Sequence, residues 1–210
     1  MRWIWLDRIL TLEPAARCVA VRAVTLGEDV MHDHFPAEPK DVRGVARPKP
    51  PLRRPLPCMP RTLIIEGMAQ TAGILVGHAD GFRQKVILAK IGKAAFTDAL
   101  AVPGTTLRHT ATVDRLDGGG ASTAGVVELL HPDGRGPEPL AEIELMFSHV
   151  DRNRQGIAFP EGNFVFTGQL YDLLVRSGVS VPPEEPAPAP APAPGSGDGD
   201  RDGNGTGTQP

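Results

Sequence analysis

One carboxylate and one imidazole are the residues best suited to chemistry. Residues 59–76, MPRTLIIEGMAQTAGILV, read as a helix apolar almost all round, yet they contain Glu66. A helix apolar on every side is usually buried. A buried carboxylate is costly unless it is paired or protonated. Glu66 therefore reads as a carboxylate kept inside because it is used. Upstream, Met31-His32-Asp33-His34-Phe35-Pro36 offers the imidazole. A histidine and a carboxylate tuned by its surroundings are the usual parts of general acid–base catalysis. The plainer reading of Glu66 is a structural, hydrogen-bonded side chain.

The helix that carries Glu66 should start at Pro60, whose missing N–H costs nothing at a first helical position. It should end between Gly77 and Gly81. Thr62, Glu66 and Gln70 recur at i, i+4 and i+8, which makes one polar seam along the rod. Before it, residues 3–12 and 18–25 read as two strands rich in β-branched and aromatic residues, joined by a turn at Glu13-Pro14-Ala15-Ala16. A loop from His32 to Pro36 follows them. After the helix, residues 85–91 read as a strand. Residues 106–114 alternate, with Leu107, His109, Ala111 and Val113 on one face and Thr106, Arg108, Thr110 and Thr112 on the other. Residues 121–130 make a further strand between turns at 118–120 and 131–134. Residues 140–149 alternate again, with Ala141, Ile143, Leu145 and Phe147 inward and Glu142 and Glu144 outward. The order ββ–long helix–ββββ predicts an α+β domain, one buried helix against one antiparallel sheet.

Composition narrows the function. The chain has 210 residues and a net charge of −3, which implies no general affinity for nucleic acid or a membrane surface. Cys18 and Cys58 form no disulfide framework, and a metal site needs more ligands at closer spacing. No apolar run is long enough to span a bilayer. In MRWIWLDRIL, Asp7 and Arg8 fall where a signal peptide needs its apolar stretch. A soluble, cytoplasmic protein is expected. Residues 40–57 hold six basic residues, one acidic residue and five prolines, so they read as a basic, irregular loop. Residues 151–181 read as a C-terminal extension with a short helix at 170–176. Residues 182–210, rich in Pro, Ala and Gly, read as a disordered tail.

Two stretches resemble a known family. His34-Phe35-Pro36-Ala37-Glu38-Pro39 and Met59-Pro60-Arg61-Thr62-Leu63-Ile64-Ile65-Glu66-Gly67-Met68-Ala69-Gln70 resemble the signature H-F-P-x-x-P-x-M-P-G-x-L-x-x-E-x-M-A-Q. That signature belongs to the β-hydroxyacyl-acyl carrier protein dehydratases of fatty acid synthesis. Leu6–Glu13, Phe96 and Val102–Leu107 are similar to the same family, so the likeness covers about residues 3–150. It implies the hotdog fold, an antiparallel sheet wrapped round a central helix, in residues 1–150. It also implies homodimers with shared active sites, often joined as trimers of dimers (homohexamers). By the resemblance, His34 takes the α-proton of a 3-hydroxyacyl thioester and Glu66 protonates or orients the leaving β-hydroxyl. Backbone N–H groups near Arg61 hold the thioester oxygen, and Phe35, Met59, Pro60, Ile65, Met68 and Gln70 contact substrate. The partner is acyl carrier protein or another acyl thioester, with no metal or organic cofactor.

Two departures stand out. Residues 40–57 split the signature, and Arg61 replaces its glycine, where it could meet a carrier phosphate. The loop is a solvated insertion by default, and docking an acidic carrier protein is the sharper reading. Two other functions stay open: an acyl-thioester-binding subunit without turnover, and an acyl thioesterase. His32 reads as loop surface, His78, His109, His131 and His149 as ordinary turn or strand residues, and Cys58 as a neighbour of the motif without a reactive role.

Overall fold

The computed structural model describes residues 3–33, 57–149 and 168–181. It contains β1 (Arg8–Glu13), β2 (Arg17–Ala23), α1 (Asp29–Asp33), α2 (Arg61–Ala79), β3 (Val86–Phe96), β4 (Thr106–Asp117), β5 (Gly120–Leu130), β6 (Glu138–His149) and α3 (Gly168–Arg176). The strands form one sheet in the order β1-β2-β4-β5-β6-β3. Every pairing is antiparallel. The chain leaves β2, runs through α2, and re-enters the sheet at its far edge as β3. Helix α2 thereby lies across the sheet and touches β2 through β6. This is the hotdog arrangement, an α+β fold.

Alternation decides which residues fill the space between sheet and helix. Leu107, His109 and Ala111 of β4, Val127 and Leu129 of β5, and Ile143, Leu145 and Phe147 of β6 are buried. Glu142 and Glu144 point out. From α2, Ile64, Met68, Ala72 and Leu75 meet them. Thr71 is also fully buried, and its hydroxyl donates to the Gly67 carbonyl at 2.8 Å. Two of the close approaches between α2 and the sheet fall at glycines. A Cβ on Gly125 of β5 would collide with the Met68 thioether, and a Cβ on Gly67 would lie 2.8 Å from His109 Nε2.

Several boundaries differ from the sequence reading. Pro60 is the N-cap of α2, with φ −57° and ψ 137°, and the helix proper begins at Arg61. The Pro60 carbonyl accepts from Leu63 and Ile64 at 3.0 and 3.2 Å. The first strand begins at Arg8, because Trp3 to Trp5 bond a side chain of α2 instead of a neighbouring strand. The loop expected from His32 overlaps the short helix α1, which buries Met31. Strand β3 runs to Phe96, beyond the expected 91.

The two sheet edges differ. Strand β3 is exposed along most of its length. Strand β1 is short, slips register between Ile9 and Thr11, and is covered by α3, with the Ile9 N–H donating to Ser177 Oγ at 3.0 Å. Gly178 stops α3 at φ 77°, a conformation that glycine adopts without strain. No helix among the described residues is long and apolar enough to cross a membrane.

Candidate active site

The start of α2 is anchored by Met59, a buried side chain whose N–H donates to the Ala101 carbonyl at 2.8 Å. The first amides of a helix have no carbonyl one turn earlier to bond, so those of Arg61 and Thr62 can receive an anion or a polarised carbonyl. The Arg61 side chain is drawn aside. Its Nη2 donates to the Thr97 carbonyl at 3.2 Å, and its guanidinium carbon lies 5.0 Å from the Phe96 ring centroid. The charge that replaces the signature's glycine is thus held at the end of β3.

One turn on, Glu66 is half-buried, not fully buried as the apolar run predicts. The difference has a physical cause. The polar seam does not face the sheet, and Trp3 to Trp5 lie over it. Glu66 Oε1 accepts from Trp3 Nε1 at 3.0 Å and from Gln70 Nε2 at 2.9 Å. Gln70 is pinned to the backbone of the same segment, accepting from Trp5 N–H at 2.9 Å and donating to the Trp3 carbonyl at 3.0 Å. Thr62, at the head of the seam, is exposed.

The other residues named from sequence separate. Ile65 and Pro60 are half-buried beside the seam. Met68 is buried against Gly125 and packs the core. Cys58 is half-buried with a free thiol. His34 and Phe35 lie outside the described residues, as do residues 40–56 of the basic loop. A groove of about 290 Å³ between β1 and the turn after α3, lined by Leu10, Leu12, His78, Ser177 and Val179, includes none of the predicted site residues. The chemistry argued above is therefore not sited there.

The 3-hydroxyacyl-[acyl-carrier-protein] dehydratase FabZ of Solibacter usitatus (strain Ellin6076) is 32% identical over 161 residues, which cover 76% of this chain and 83% of that one. The chain belongs to the FabZ dehydratase family. The FabZ of Clostridium tetani (strain Massachusetts / E88) is 31% identical over 143 residues, with 68% of this chain and 83% of that one covered. No family model matches. Among solved structures, the dehydratase heterocomplex ApeI:P from Xenorhabdus doucetiae aligns with a TM-score of 0.49 at 14% identity, over 71% of this chain and 84% of that one.

For a FabZ family member, one feature beside the site went unread in the sequence. His109 of β4 is 1% exposed, and neither ring nitrogen has a hydrogen-bond partner among the described residues. Its ring fits against Gly67, directly behind Glu66. Burial lowers its pKa to about 4, and the Ile64 carbonyl beside the ring offsets this in part without reaching hydrogen-bond geometry. A neutral imidazole therefore backs the turn of α2 that presents Glu66.

Proposed function

We propose that the chain catalyses reversible loss of water from a 3-hydroxyacyl thioester, carried on acyl carrier protein, to give the trans-2-enoyl thioester. One observation carries the reading. In a chain whose relatives are dehydratases, Glu66 stands on the seam of α2 with Oε1 engaged by two donors, and no donor among the described residues reaches Oε2. In this reading His34 removes the α-proton. The electrons form the Cα–Cβ double bond as the Cβ–O bond breaks. Glu66 passes a proton to the departing hydroxyl, or orients it to receive one from His34, and water leaves. The amides of Arg61 and Thr62 face the thioester oxygen as it gains charge.

A homodimer with shared sites belongs to the same proposal. The exposed edge of β3 supports it, since an unpaired edge strand is a template for another chain. A cytoplasmic location, where thiols stay reduced, fits the free Cys18 and Cys58.

The test is turnover of short 3-hydroxyacyl thioesters, free and carrier-bound, followed at the enoyl absorbance. Wild type should be active, and His34→Ala and Glu66→Gln should each lose roughly 100-fold or more. Release of free thiol without enoyl product would indicate a thioesterase instead. Binding without either product would indicate a non-catalytic subunit.

A further inference from the structure

The segment ahead of β1 is fixed at both ends. At Asp7, the N–H donates to the Val21 carbonyl at 2.9 Å. The Asp7 carboxylate accepts from Ala23 N–H at 2.7 Å and from Arg22 at 2.6 Å. At the other end the backbone of Trp3 and Trp5 holds both ends of the Gln70 amide. A primary amide whose oxygen accepts from a backbone N–H has its NH₂ direction fixed. Its second hydrogen then goes to Glu66 Oε1. The Trp3 indole supplies the other donor to that oxygen, and an indole N–H can only donate. The Trp3 ring stands edge-on to Trp5, with centroids 5.8 Å apart and planes at 85°. Trp5 in turn lies under the Arg22 guanidinium at 5.5 Å. A flexible glutamate is therefore gripped at one oxygen from two directions.

We propose that Trp3 is a positioning residue for Glu66, fixing the carboxylate so that Oε2 is the oxygen presented to substrate. Trp3 acts through Glu66 and is not itself catalytic. The inference rests on the dehydratase reading for its kinetic arm only. Precise placement of a reacting group lowers the barrier without changing how tightly substrate binds, so the effect belongs in kcat.

The chain has two tryptophans, which makes the contact directly visible. A ¹⁵N–¹H spectrum should show two indole cross-peaks, assigned with Trp5→Phe. Glu66→Gln should move the Trp3 peak upfield as the carboxyl acceptor becomes an amide, and leave the Trp5 peak nearly in place. In the kinetic arm, Trp3→Phe keeps a ring and removes the N–H. Its kcat should fall roughly 3- to 10-fold, the worth of one ordinary, partly exposed hydrogen bond. KM and Tm should stay near wild type, and Trp3→His, which restores a ring N–H, should recover part of the loss. An unmoved Trp3 peak, or a Trp3→Phe enzyme with wild-type kcat, overturns the proposal. So does a loss that appears only in Tm and KM. A moved peak in a wild-type protein without turnover supports the grip on Glu66 and sinks the dehydratase reading.

Discussion

His109 shows what one buried ring does to the acid response of the molecule. Its ordinary pKa is near 6.5, and burial in the fold lowers it to about 4. The native state therefore binds fewer protons than the unfolded chain between those values, and stability falls as pH falls. The contribution is fully present above about pH 6.5 and is lost on descending through about pH 4, a change of about 3 kcal/mol. Urea titrations across that range should show the loss, and His109→Leu should flatten it. An equally steep acid limb in that variant would assign the effect to other groups. Cys18 makes a second case. Burial raises its thiol to about 12, and only the thiolate is reactive. A thiol reagent should take up one equivalent, at Cys58, in the native protein and two in urea. Two equivalents in the native state would mean that β2 opens readily. The alternation of β4 did put His109 on the inward face with Leu107 and Ala111. What the sequence did not disclose is that no partner among the described residues awaits it there, since partners come from distant elements.

At the scale of elements, α2 and β4 are set by how closely Gly67 lets them approach. Gly67→Ala would gain about 1 kcal/mol of helix propensity. It would also push a methyl group to 2.8 Å from the His109 ring, and overpacking costs about 1–3 kcal/mol. The clash should win, because the ring is fixed on a strand in the middle of the sheet. Gly67→Ala should lower Tm, and adding His109→Ala should recover part of the drop. A rise in Tm for the single variant would mean that the ring swings away freely. Elements were legible where one face is dry and the other wet, as in β4 and β6. They were less so where that contrast fails. Strand β3 is exposed along most of its length, so its pattern fades after residue 91. Trp3-Ile4-Trp5 alternates like a strand, but its backbone serves Gln70. Helix α1 is five residues long, too short to display a helical period. Glu66 was misjudged as deeply buried because a seam covered by a neighbouring segment looks, in sequence, like a seam inside the core.

On the scale of the whole molecule, the proposed shared site makes oligomeric mass a functional quantity. Sedimentation should return an even multiple of 22.3 kDa at the concentrations used for assay. A monomer that turns over substrate would remove the need for a second copy. The unequal sheet edges bear on the number as well as the fact of association. Among the described residues β1 is short, slipped and capped by Ser177 and β3 is exposed along most of its length, so the described sheet has a single valence. Joining two such edges consumes the valence of both partners, and neither is left with a strand on which a third copy can build. In the proposed dimer, polymerisation along the sheet would end at the first step, so a long exposed edge could be kept without the hazard of a growing fibre.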